Sequence, residues 1–105
     1  MSEEKISGVQ YFVIIADQKK KDKYIRLLNE QGAKGIETVY AHGSVSPSAL
    51  RAAFGLDAQQ NKAMITCLVK KETAVKLIDT LYTVYHFDKP NTGIAFSIPV
   101  EGLAF

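Results

Sequence analysis

Residues 9–16 read Val-Gln-Tyr-Phe-Val-Ile-Ile-Ala, a run of strand length whose β-branched and aromatic side chains fill both alternations. Tyr11, Val13 and Ile15 point to one side of any sheet built on this run, and Phe12, Ile14 and Ala16 to the other. Such a strand lies inside a sheet and needs cover on both faces. Its surroundings supply only part of that cover. Asp17 offers an N-cap oxygen for a helix over 18–31, in which Tyr24, Ile25, Leu27 and Leu28 form one apolar face before Gly32. A second strand follows at 36–41 and a third at 63–69. A second helix over 72–86 carries Val75, Ile78, Leu81, Tyr82 and Tyr85 at three- and four-residue steps, with Leu77 and Val84 widening that face. Pro90 and Gly93 break it, and a fourth strand over 94–100 contains Pro99, which places the strand at an edge or ends it there.

The order is strand-helix-strand, a loop, then strand-helix-strand. With 105 residues in hand this makes one domain spanning 1–105, with a loop excursion at 42–61. The fold class is α+β, a ferredoxin-like βαββαβ chain with a four-stranded antiparallel sheet and two helices on one face. Two helices roof one face only, so the apolar side chains of the other require a neighbouring subunit. The chain is therefore an oligomer.

The remaining composition mainly excludes. A net charge of +2 does not demand a nucleic acid but is compatible with a small anionic ligand. The third strand lacks the exposed aromatic pair of an RNA-recognition domain. No apolar run reaches the roughly 20 residues of a membrane span, and the polar start is no signal peptide, so the expectation is cytoplasmic, without membrane insertion. The single cysteine, Cys67, reads as a buried small hydrophobe. His42 and His86 are in different halves with no further ligand at zinc spacing, so no metal is expected; His86 is read as serving the last helical carbonyls. Ser44, Ser46 and Ser48 have neither a nucleophile elbow nor a base, and no catalytic residue is assigned. Lys19, Lys20, Lys21 and Lys23 oppose the dipole at the start of the first helix; they read as a solvated face, an anion there being the alternative. In the excursion, Ser46-Pro47-Ser48 starts a short helix that carries Leu50, Arg51 and Phe54.

Phe12-Val13-Ile14-Ile15, then 27–36 and Val39-Tyr40-Ala41-His42-Gly43, resemble the PII-like signalling proteins, as do Ile65-Thr66-Cys67-Leu68-Val69 and the stretch 91–100. The resemblance implies a homotrimer of ferredoxin-like subunits. It implies a regulator of nitrogen or carbon metabolism and not an enzyme, with no required cofactor, and with ATP, ADP or AMP as candidate effectors bound between subunits. It assigns Ile14 to the nucleotide cleft, and Gly35, Ile36 and Glu37 to the adenine from a neighbouring subunit. Gly43 and Ser44 fall at the base of the docking loop, Lys62 at the entry to the third strand, and Asn91, Thr92 and Gly93 in the phosphate turn. Pro47, Leu50, Arg51 and Phe54 become the surface offered to a regulated protein partner.

The chain departs from the family's pattern in several places, among them a docking loop without the tyrosine that some bacterial members have modified. Ile94 stands where lysine usually follows the last glycine, Glu101-Gly102-Leu103-Ala104-Phe105 stands where typical members have two arginines, and Glu37 replaces a small hydroxyl residue. Losing cations worth about 1–3 kcal/mol each in charge-assisted contacts points to a less charged nucleotide, a different anion, or no nucleotide. The alternatives are an ion-tolerance-type trimer without nucleotide and a small ferredoxin-like enzyme of acylphosphatase or monooxygenase type. For the enzyme, Arg26 and Arg51 lie on a helix and in the loop, neither after the first strand.

Overall fold

The structure is a computed structural model and describes residues 3–4, 8–41, 61–90, 92–101 and 103–104. In chain order its strands are β1 (Glu3–Glu4), β2 (Val9–Asp17), β3 (Lys34–Ala41), β4 (Lys62–Lys70), β5 (Gly93–Pro99) and β6 (Leu103–Ala104); the helices are α1 (Lys21–Glu30) and α2 (Lys71–Thr83). The doubly apolar β2 takes an inner place, paired with β4 from Val9↔Lys70 to Asp17↔Lys62 and with β5 from Gln10↔Pro99 to Ala16↔Gly93. The order β3-β4-β2-β5, antiparallel throughout, is the ferredoxin-like sheet that the sequence predicts. A ribbon was not foreseen: β1 and β6 pair antiparallel as a second, two-stranded sheet.

Each connection carries its own local signal. The Asp17 carboxylate accepts the Lys19 N–H at 3.0 Å and caps a single 3-10 turn, Gln18–Lys20, that leads into α1. At the far end the Ala33 N–H reaches the Leu28 carbonyl and the Gly32 N–H the Asn29 carbonyl, a Schellman closure with Gly32 at φ +80°. The first amide of α2 has no side-chain cap; the Lys71 N–H donates instead to the Gly8 carbonyl at 2.6 Å. α2 ends where His86 takes φ +62° and the Phe87 N–H folds back onto the Leu81 carbonyl at 3.0 Å. The main chain does there what the sequence assigns to the His86 side chain.

Both helices lie on one face of the sheet. Phe12, Ile14 and Ala16 of β2 and Ile65, Cys67 and Val69 of β4 meet Tyr24, Leu27 and Leu28 from α1. Ala74, Leu77 and Leu81 of α2 complete that core. The phase of α2 corrects the sequence reading: Leu77 is in the core, whereas Val75, Ile78, Tyr82 and Val84 are exposed. Apolar residues stand at 74, 75, 77, 78, 81, 82, 84 and 85, so two stripes compete, and Ala74 lets the backbone approach the sheet more closely than Val75 would.

Among the described residues no helix covers the other face. Tyr11, Val13 and Ile15 line it beside Met64, Thr66 and Leu68, with Ile94, Phe96 and Ile98 along one flank and Val39 on the other. Tyr11 (39%), Met64 (37%), Phe96 (37%), Ile98 (48%) and Val39 (52%) remain exposed there. With each side chain offering some 150–250 Å², these five expose on the order of 400 Å², the size of a functional patch.

Candidate functional site

The candidate residues divide between the two edges of the sheet. On the β5 side, Gly93 pairs with Ala16 of β2, which pairs in turn with Ala63 of β4; one residue further along, Asp17 faces Lys62 across the strands. Lys62 is buried on the helix-free side, at the same rim as Thr92 and Gly93. The rim is fixed by the ladder running on past the strands, because the Gln18 N–H donates to the Asn61 carbonyl at 3.0 Å.

Gly93 is required for a reason the sequence reading did not include. A Cβ there would lie 2.6 Å from Cζ and 2.9 Å from Cε2 of Phe87, and 3.1 Å from the Ile15 carbonyl oxygen. Phe87 is held in place by an edge-on contact with Tyr24, ring centroids 5.4 Å apart, and Tyr85 packs on the same tyrosine at 5.6 Å. A groove of about 370 Å³ opens beside this cluster, between Tyr82 and Phe87 on one wall and Gly93 and Ile94 on the other. Among the described residues no charged side chain lines it. It offers apolar and aromatic surface next to the candidate phosphate turn. A glycine six residues after an aromatic is the only sequence trace of this arrangement.

On the opposite edge, Lys34 faces Leu68 and Glu37 faces Thr66, so β3 spends one extra residue against β4. Gly35, at φ +62°, opens this bulge as its left-handed residue. Ile36 packs against the core and Glu37 is exposed. Three strand spacings of about 4.8 Å and three residues of about 3.4 Å separate Glu37 from Gly93, some 18 Å in all. One protomer cannot bring both to one small ligand. Ile14 is fully buried in the helix-side core and presents no side-chain surface. Gly43, Ser44 and Asn91, with Pro47, Leu50, Arg51, Phe54 and the short helix expected in the excursion, lie outside the described residues.

Two of the lysines that open α1, Lys21 and Lys23, are engaged with aromatic faces, while Lys19 and Lys20 are exposed. Lys23 Nζ lies 5.3 Å from the Tyr24 ring centroid and 5.4 Å from that of Tyr85. Lys21 Nζ lies 5.7 Å from the Tyr40 ring and 3.5 Å from Asp22 Oδ1, and Tyr40, then Asp22, raise its pKa above the usual lysine value. Burial pushes the Cys67 thiol up to about 11, so at neutral pH it is a protonated core group. Among the described residues no cluster of three or more His, Cys, Asp or Glu could hold a metal ion, and no helix is long and apolar enough to cross a membrane.

The family model for nitrogen regulatory protein P-II matches residues 9–104. The chain belongs to the P-II family. It is a PII-like signalling protein, a regulator by family. Similar solved structures agree on the PII fold. CPII from Thiomonas intermedia K12, bound to ADP, AMP and acetate, superposes with a TM-score of 0.69 at 17% identity, covering 100% of this chain and 94% of that one. CPII bound to ADP, AMP and bicarbonate gives 0.65 at 19%, covering 99% and 100%. Arabidopsis thaliana PII bound to citrate gives 0.61 at 20%, covering 90% and 79%. No curated protein matches the sequence.

Proposed function

We propose that this PII-family protein is a homotrimeric, cytoplasmic, non-enzymatic sensor of a small anionic effector, an adenine nucleotide with few phosphates first among them. Its ligand state is passed to a regulated protein partner through residues 42–61. The observation that carries the reading is the helix-free sheet face. Five large apolar side chains with on the order of 400 Å² exposed need cover worth about 25 cal/mol per Å², and three copies turning that face inward would supply it.

The division of the candidate residues supports the same assembly. Gly35, Ile36 and Glu37 on the β3 edge complete a site with Thr92 and Gly93 on the β5 edge, and with Lys62 of the inner strand β4 at the same rim, only when a neighbour brings its β3 to the Gly93 end of β5. Ile14 would then serve as the core support beneath the site. Gly43, Ser44 and Asn91 are assigned to the same cleft by family resemblance. The missing cations, Ile94 in place of lysine above all, favour AMP or ADP over ATP; CPII, bound to ADP and AMP together with acetate or bicarbonate, makes a small carboxylate or bicarbonate the natural co-ligand to try.

Two measurements on the purified chain test this. Sedimentation should give about 35 kDa, three times the 11.6 kDa chain. Thermal shift with AMP, ADP and ATP, each with and without bicarbonate, should rank the first two above the third. A monomer would remove the assembly, and a melting point unmoved by every nucleotide would remove the effector.

A further inference from the structure

A trimer built on the helix-free face leaves apolar surface uncovered on the other side of the sheet. Three copies that turn the helix-free face inward carry α2 on the outside of the assembly. There Val75, Ile78 and Tyr82 are exposed, and steps of three and four residues set them in one row along the helix. Scattered apolar residues on a surface are ordinary, but a row that borders a groove is a contact surface.

The groove of about 370 Å³ at Gly93 lies against this row. Ile78 and Tyr82 of α2, with Phe87, face Gly93 and Ala95 of β5 across it. Ala95 packs on the helix-side core, so the groove is on the helix side of β5. A neighbour's β3 brought to the edge of β5 extends the sheet beneath the groove and leaves it open. Its size is that of a small-molecule site, about 300–1,000 Å³. Gly93 belongs both to the rim assigned to the phosphate and to the groove wall, so a ligand anchored at the first has its next atoms at the second. Further phosphates pushed into the groove would lose water and meet no cation among the described residues. Carbon gains there. Ile78 also lines a second groove, of about 400 Å³, together with Val75 and Pro99, so the apolar path runs on along α2.

We propose, resting on the nucleotide reading of the same rim, that the effector is an adenosine monophosphate esterified through its phosphate to an apolar chain, and that this chain lies between α2 and β5 against Tyr82 and Ile78. Such a diester keeps a single negative charge, which suits a turn followed by Ile94 and not by a lysine. The chain makes the affinity, and the groove selects for it.

The probes are the methyl, butyl and hexyl 5′-phosphodiesters of AMP, which share one charge and differ only in carbon. Calorimetry on the full chain should show Kd falling at least about tenfold from methyl to butyl, and further to hexyl. Tyr82→Glu should bring the butyl-to-methyl ratio to within about twofold of one, and Ile78→Glu should do the same from the other end of the row. Sedimentation and melting curves of both variants check that fold and assembly survive. Equal affinity for the methyl and butyl esters would overturn the proposal and leave the nucleotide reading standing, whereas silence from AMP and every ester would remove both. A chain-length gain that survives both substitutions, or a change of oligomeric mass in Tyr82→Glu, would also overturn it, because the chain would then lie elsewhere or the row would belong to sister copies.

Discussion

Replacing Gly93 by alanine probes packing and ligand binding at one position. The new methyl would meet Phe87 Cζ at 2.6 Å and the Ile15 carbonyl oxygen at 3.1 Å. The carbonyl is fixed by the β2–β5 ladder, so the ring must move, and moving it breaks the edge contact with Tyr24. Overpacking of this kind costs about 1–3 kcal/mol, and the aromatic pair adds about 0.5–1.5. A loss near 2 kcal/mol should lower the melting point by roughly 8–15 °C in a chain this size. Phe87→Leu alone gives up the ring contact, but in its background the alanine has room. In a double-mutant cycle by urea unfolding at fixed protein concentration, the pair should be less destabilised than the sum of the singles by at least about 1 kcal/mol. Strict additivity would refute the packing account. If the double variant recovers stability yet not nucleotide binding, the glycine also serves the ligand through its backbone.

His86→Gly should raise stability by about 0.5–1 kcal/mol, since a left-handed residue costs about 1–2 and the added chain entropy of glycine returns part of it; a lower melting point would show that the imidazole stabilises the bend. Cys67, with its thiol pushed from the usual value near 9 up to about 11, holds its proton more tightly folded than unfolded. The thiol's contribution to stability is therefore flat below pH 9 and falls between pH 9 and about 11 by on the order of 3 kcal/mol. Cys67→Ala should flatten that slope in urea titrations, and parallel curves for the two proteins would contradict it. Tyr24 buries its hydroxyl without a hydrogen-bond partner, so Tyr24→Phe should gain about 1 kcal/mol in the same assay, and a loss would contradict the reading.

The parts of the fold that were legible are those where one residue has one physical job. Asp17 capping a turn, Gly32 closing α1 and Pro99 on an edge each follow from a single local rule. The bare face was legible because β2 fills both alternations while only two long helices are written into the sequence to cover it. The phase of α2 was not: Ala74 and Val75 are both acceptable on a buried stripe, and only the sheet's closeness decides between them. Gly93 was noticed for an anion turn, while its packing against Phe87 depends on a left-handed His86 that no pattern announces. The terminal ribbon is too short for periodicity to register. Of the candidate site, family resemblance supplied the residues, and the sheet order supplied the fact that they stand on opposite edges.

Because Glu3 lies opposite Ala104 and Glu4 opposite Leu103, whatever precedes the first of these and whatever follows the last leave the molecule from one point. Backbones paired in this way are about 5 Å apart. A few residues could bridge them, so a circularly permuted chain should keep the β3-β4-β2-β5 sheet. The same adjacency means that fusions at either end compete for a single exit, and that a probe pair placed on the two ends reports fraying of this clip before any strand of the main sheet lets go.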